Sequence, residues 1–289
     1  ISMRLAIGTA QFGSNYGLSN NLGKVAQSEA NSILRIAKSS KIEFLDTAMS
    51  YGDSENIIGN SGITDFKIIS KLTTLSEHNE DVRGYIFNKI NDSLSHLRVN
   101  SLYGILLHQV SDLDGKNGSL IYESLLELKK QGLVKKIGLS IYNVEELADI
   151  IPKFKFDIVQ CPLNIFDRRL VSSGWLKNLK ELGIEVHARS IFLQGLLLMS
   201  ASKRPDYFSP WSNLLNNYDQ WLKEVNVSNL EACISFISNI NSVDKIIVGI
   251  DSSSQLKEII NLFHADNIKI PEKLFSEDQL LINPSKWSL

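Results

Sequence analysis

The stretch Phe44-Leu45-Asp46-Thr47-Ala48-Met49-Ser50-Tyr51-Gly52 decides how the chain folds. The apolar run from Ile42 to Leu45 predicts a buried strand, and it stops at Asp46. A short turn then leads to Tyr51 and Gly52. A strand that ends on an acid, with a phenol five residues later, sets two ionisable groups at one end of a sheet. In parallel α/β proteins that C-terminal edge is where sites are built. Taken alone, an Asp-x4-Tyr is more often a helix cap and a packed ring, so the rest of the chain has to decide.

Working outward, short β-rich runs alternate with amphipathic segments. The predicted strands are Leu5 to Gly8, Ile42 to Leu45, Lys67 to Ser70, Leu102 to Leu107, Lys136 to Leu139, Ile158 to Cys161, Ile184 to His187 and Ile246 to Ile250. Each is short and rich in Ile, Val or Leu, as a strand buried on both faces should be. Between them, helical spacing puts Ala30, Ile33, Leu34 and Ala37 on one face, and Ile86, Ile90, Leu94 and Leu97 on another. Ile121, Leu125 and Leu128 form a third stripe, and Leu256, Ile259, Ile260 and Phe263 a fourth. Strands each followed by a helix, repeated eight times in about 250 residues, predict an α/β fold, the (β/α)8 TIM barrel, as one domain over residues 1–289. A doubly wound sheet would announce itself with G-x-G-x-x-G after its first strand, whereas here the turn reads Gly8-Thr9-Ala10-Gln11-Phe12-Gly13. The longest irregular stretch, about Met199 to Ser212, holds Tyr207, Phe208 and Trp211. It reads as a substrate wall at the barrel mouth or as a packed surface loop.

Composition narrows the function classes. Among 289 residues, 43% are hydrophobic and 21% charged, an ordinary globular balance. A formal net charge of -2 gives no electrostatic reason to expect nucleic acid or an anionic membrane as partner. Cys161 and Cys233 stand at no metal-like spacing and suggest a reducing, cytoplasmic setting. No run approaches the roughly 18 apolar residues of a membrane span, and no His/Asp/Glu cluster has the spacing of a metal site. Ile1 and Ser2, ahead of Met3, are set aside.

Two further strand ends carry chemistry. Strand three runs Ile68-Ile69-Ser70-Lys71, and a lysine there needs a partner or a route to water. Strand four ends Leu106-Leu107-His108. In a closed barrel Asp46, Tyr51, Lys71 and His108 become neighbours. On these residues the chain resembles the aldo-keto reductase superfamily, which carries this tetrad in this order on these elements. The resemblance extends through Ile137-Gly138-Leu139-Ser140, Val159-Gln160-Cys161-Pro162-Leu163-Asn164, the run from Ala188 to Gly195, and Val248-Gly249-Ile250-Asp251.

The resemblance implies NAD(P)H-dependent reduction of an aldehyde or ketone. Tyr51 would be the general acid, Lys71 and Asp46 the pair that tunes it, and His108 the orienting donor. The chemistry is coherent: a free phenol titrates near ~10, and a neighbouring ammonium lowers that value. The resemblance also implies a nicotinamide dinucleotide. Ser140 and Gln160 would contact the carboxamide, with Asn164 near them, Asp46 and Thr47 would lie close to the nicotinamide ribose, and Gly8 and Thr9 would also bind the cofactor. Arg189, Ser190, Phe192, Leu193, Gln194 and Gly195 would cover the nicotinamide and pyrophosphate. Relatives often stack an aromatic ring on the nicotinamide here; in this chain either Arg189 or Phe192 must serve. Gly249, Asp251, Ser252, Gln255 and Glu258 would meet the adenosine end. NADP(H) is the expectation on family grounds, with NAD(H) the alternative, because Asp251 stands where NADP-preferring relatives often carry a cation. Ile141 replaces an asparagine common after strand five, and little chain precedes strand one for the usual β-hairpin plug. Phe12, Tyr16, Tyr51, His108 and Trp211, with Trp287 from the tail, would line the substrate pocket. A sugar-type carbonyl is one candidate substrate. The competing classes are a dinucleotide-binding regulatory subunit, like the potassium-channel β-subunit branch, and a Schiff-base enzyme using Lys71.

Overall fold

The computed structural model describes residues 3–18, 20, 22–75, 81–263 and 268–289. Eight parallel strands close into a barrel in sequence order. They are β1 (Leu5–Gly8), β2 (Phe44–Asp46), β3 (Lys67–Leu72), β4 (Leu102–Leu107), β5 (Val134–Ser140), β6 (Ile158–Pro162), β7 (Glu185–Arg189) and β8 (Lys245–Gly249). Register levels the rim that matters: Gly8 pairs with Asp46 on one side and with Gly249 on the other, and Ser140 pairs with Gln160.

Alternation along each strand sorts side chains between two cores. Leu5, Ile7, Leu45, Ile105, Leu139 and Val186 face the surrounding helices. Ala6, Phe44, Ile69, Leu106, Ile158 and Ile247 fill the barrel. Each fully buried Leu or Ile contributes about 1.5–3 kcal/mol relative to exposure. The predicted helical stripes are buried as expected in Gln27–Ser39, Val82–Leu97 and Gly118–Lys130. In Ser253–Leu262 only Leu256 and Ile259 are buried, and Phe263 caps the helix end.

Two expectations need correction. β2 begins at Phe44, not Ile42: Lys41 turns left-handed (φ 60°), and the Ile42 amide closes the preceding helix on the Ala37 carbonyl at 2.9 Å. Residues 199–212 are not irregular. They form turns of 3-10 helix at Ala201–Lys203 and Asp206–Trp211 that run into the helix Ser212–Val225.

The aromatic side chains of that segment anchor the C-terminal tail. Phe208 packs edge-on against Trp287 with centroids 4.9 Å apart. The Trp211 indole donates to Asp278 at 2.9 Å and the Tyr207 hydroxyl to the Leu280 carbonyl at 2.8 Å. This second core sets Pro284 and Ser285 at the barrel mouth. At the opposite mouth, Glu185 on β7 accepts from the Tyr103 hydroxyl and from Lys136, and His187 lies 3.2 Å away. Burial pushes the Glu185 carboxyl up, but those partners outweigh it and hold the group at about 2.

Candidate active site

Backbone pairing that continues past β2 positions the turn carrying Tyr51. Thr47 donates to the Ile69 carbonyl at 2.8 Å and Met49 to the Lys71 carbonyl at 3.2 Å, so the turn stays joined to β3. Tyr51 closes it on the Ala48 carbonyl at 3.0 Å. The first βα loop packs hard against this turn. A Cβ at Gly13 would sit 1.5 Å from the Tyr51 carbonyl oxygen, and Gly52 adopts φ 53° with its own Cβ position 2.5 Å from the Gly13 oxygen. Only glycine permits that approach.

The tetrad meets at the rim. Lys71 is 1% exposed; its ammonium donates to Asp46 Oδ2 at 2.6 Å and to the Thr47 carbonyl at 2.9 Å. The other Asp46 oxygen accepts from Gln160 Nε2 at 2.7 Å. Lys71 Nζ lies 5.0 Å from the Tyr51 ring centroid. The His108 ring stands edge-on to Tyr51 at 6.1 Å, and its Nδ1 is 3.3 Å from the Ser50 hydroxyl.

The charge balance differs from expectation. Tyr51 is pushed well above the ordinary phenol value, first by burial and then by Asp46, with Arg189 opposing. The expected lowering by Lys71 does not prevail: burial is the larger effect on the phenol, and the Asp46 carboxylate adds to it. Burial lowers Lys71 as well, against the pull of Asp46. Burial, followed by Lys71 and Arg189, pushes His108 down to about 4, so its imidazole is neutral at neutral pH. The tetrad therefore presents a protonated phenol and a neutral imidazole beside a closed ion pair.

A cavity of about 450 Å³ opens over these groups. The family model for the aldo/keto reductase family matches residues 4–274. The chain belongs to the aldo/keto reductase family. An oxidoreductase chemistry with a nicotinamide cofactor goes with that membership. An uncharacterized oxidoreductase of Bacillus subtilis (strain 168), YqkF, is 27% identical over 259 residues, 83% of each chain. The aldo-keto reductase AKR11C1 from Bacillus halodurans superposes in its holo form with a TM-score of 0.72 at 18% identity, over 92% of this chain and 88% of that one. Its apo form gives 0.67 at 19% identity, over 89% and 86%.

In this aldo/keto reductase most of the expected cofactor residues share the cavity wall with the tetrad. Ser140, Gln160, Gly8 and Thr9 line its floor. Arg189, Ser190, Phe192, Gln194 and Gly195 line one side, and Gly249, Asp251 and Gln255 the far end. Tyr16 lines it too, with its hydroxyl 3.3 Å from Gln194 Nε2, and the Leu18 amide donates to the Gln194 carbonyl at 2.8 Å. The first loop is thereby tied to the loop after β7.

Several expected residues lie elsewhere. Phe12 is fully buried in the outer core, because the single helical turn Ala10–Gly13 directs it inward. Trp211 and Trp287 belong to the tail anchor. Asn164 accepts from the Phe166 and Asp167 amides at 3.0 and 2.9 Å and donates to the Ser190 carbonyl, so it props the turn after β7. Leu193 is buried in the second core. Its amide and that of Gly195 already donate within the turn, to Ser190 and Phe192, both at 2.9 Å. Two backbone amides of the run expected to cover the pyrophosphate are thus engaged within the turn. Ser252 caps the helix Ser253–Leu262 by accepting from the Gln255 amide at 3.2 Å, and Glu258 is exposed on that helix.

Of the other lining residues, most carried no sequence signal. Gln11 lies against β8, where a Cβ at Gly249 would come 2.4 Å from its Nε2. Tyr142, Ser50, Asn20 and Ser285 also line the walls. For Tyr142 a pointer existed, since it follows the unusual Ile141.

The wall suits a dinucleotide on its own chemistry. Gln160 Oε1, Gln11 Oε1 and Asp251 Oδ1 are buried without a hydrogen-bond partner among the described residues, and all three residues line the cavity. Buried acceptors left open are costly unless a guest donates to them. Positive φ at Ser190, Leu193 and Gln194 costs on the order of 1 kcal/mol each and shapes the same wall. No group of three or more His, Cys, Asp or Glu among the described residues is placed to hold a metal ion. No helix among them is long and apolar enough to cross a membrane.

Proposed function

We propose that this chain reduces an aldehyde or ketone to the alcohol, with the proton coming from Tyr51. The observation that carries this reading is that Tyr51, His108 and the Lys71–Asp46 pair line the same cavity as the unpartnered Gln160, Gln11 and Asp251 oxygens. A nicotinamide dinucleotide, when bound, supplies the hydride. Gln160 Oε1 is an acceptor suited to a carboxamide N–H, and Ser140 stands beside it in register. Tyr51, held protonated by burial and by Asp46, keeps its proton until a carbonyl oxygen develops charge. His108, neutral, can hydrogen-bond the same oxygen without adding a charge. Arg189, the cation that opposes the rise of the Tyr51 phenol, favours the phenolate once the proton has left.

At the adenosine end the charges support NAD(H) rather than the NADP(H) expected from resemblance. Burial raises the Asp251 carboxyl, and its Oδ1 waits for a donor. The first amide of the helix Ser253–Leu262 already donates to the Glu29 carboxylate. A 2'-phosphate would meet two acids there, whereas a ribose hydroxyl could donate to one. The cavity walls carry hydroxyls and amides from Ser14, Tyr16, Asn20, Ser50 and Gln194, which supports a polar, sugar-type carbonyl substrate.

The test is calorimetric titration of the protein with NADH and NADPH, together with turnover of an aromatic aldehyde and an aldose. Binding with turnover that disappears in Tyr51→Phe supports the reductase reading. Binding without turnover favours the regulatory subunit. If neither nucleotide binds, the reading fails, and turnover confined to hydrophobic aldehydes removes the sugar-type substrate.

A further inference from the structure

Arg189 ends β7 and lines the cavity. Its guanidinium lies over the Tyr142 ring, 4.6 Å from the centroid. It donates to the Ile141 carbonyl at 2.7 Å and to the Ser190 hydroxyl at 3.1 Å. Tyr142 is itself held, because its carbonyl accepts from Arg169 at 3.2 Å, and Arg169 is paired with buried Asp167 at 2.8 Å. Arg189 is therefore a fixed cation. No carboxylate among the described residues is within ion-pairing distance of it, although Glu146 feels its field. Lys71, the other cation on the wall, is neutralised by Asp46. The reacting end of the cavity thus keeps one uncompensated positive charge.

Any nicotinamide that gives a hydride to a carbonyl held by Tyr51 must bring its ring to this end. The ring is neutral when reduced and cationic when oxidised. We infer that Arg189 discriminates between the two oxidation states: its unpaired guanidinium repels the oxidised ring and leaves the reduced ring unopposed, so the site takes up the reduced dinucleotide and expels the oxidised one. This inference rests on the dinucleotide reading above. The reach of the charge is visible in its neighbours, since Arg189 favours the anionic phenolate of Tyr51 and opposes the cationic imidazolium of His108, lowering both groups. Two like unit charges several ångströms apart in such a site repel by enough to change affinity at least about tenfold.

The experiment is calorimetric titration of wild type, Arg189→Met and Arg189→Lys with the reduced and oxidised forms of the tighter-binding dinucleotide, without substrate. Wild type should bind the reduced form at least about tenfold more tightly than the oxidised. Arg189→Met should bring the ratio towards one by strengthening the oxidised form, and Arg189→Lys should keep most of it. Circular dichroism checks that each variant is folded. Should Arg189→Met fail to fold, the wild-type ratio still decides, because equal binding of the two forms overturns the inference. An unchanged ratio in folded Arg189→Met also overturns it. A parallel loss of affinity for both forms assigns Arg189 to the phosphates and overturns it as well. If wild type binds neither form, the dinucleotide reading and this inference fall together; binding of both with a ratio of one removes this inference alone.

Discussion

Replacing Lys71 by methionine removes one charge of a buried pair and leaves the other. Lys71 and Asp46 have side-chain exposures of 1% and 6% and an N···O distance of 2.6 Å. At an effective dielectric near ~20, their attraction is about 6 kcal/mol. The variant regains the desolvation cost of the ammonium, a few kcal/mol, so the expected net loss is about 3–5 kcal/mol. For a chain of this size that lowers Tm by roughly 10 °C. Thermal melts and urea unfolding at pH 7.5 read the change directly. Combining Lys71→Met with Asp46→Asn should recover at least half of it, because no charge is left stranded and Gln160 keeps an acceptor. Two results would refute the reasoning: a loss under about 1 kcal/mol in Lys71→Met, or a double variant whose loss equals the sum of the single ones.

Three other predictions concern the same rim. His108 is pushed from about 6.5 down to about 4 by burial, so the folded state resists its protonation. That contribution is fully present above about pH 6.5 and is lost as pH falls towards 4, amounting to about 2–3 kcal/mol. Urea melts at pH 7.5 and 4.5 should show wild type losing that much more than His108→Gln, and parallel losses would contradict it. Gly13→Ala would drive a methyl into the Tyr51 carbonyl, 1.5 Å away, so it should lower both Tm and turnover; unchanged kcat would mean that the turn can move without consequence. Asp251→Arg should tighten NADPH relative to NADH by at least about tenfold, measured as a ratio of Kd values. A ratio that does not move would take Asp251 away from the 2' position.

The barrel and the tetrad were legible because both depend on short-range pattern. Runs of Ile, Val and Leu report strands buried on both faces, and in a parallel barrel every strand end lies on one rim. Asp46, Lys71 and His108 could therefore be placed together from their positions at strand ends. Loop aromatics were a poorer guide, since Tyr16 lines the cavity as expected but others do not. Phe12 and Trp211 looked alike as pocket walls, yet one turns into the outer core and the other bonds Asp278.

By itself, then, the sequence determined the order of the elements, their buried faces and which chemical groups reach the rim, since these follow from backbone periodicity and local spacing. Only the tertiary structure decided what those groups face. Glu29 meets Ser253 across 224 residues, Arg189 lies on Tyr142, and Lys71 is neutralised by Asp46. Protonation and charge at the site depend on burial and on partners brought from distant strands, and neither is a property of neighbouring residues in the chain.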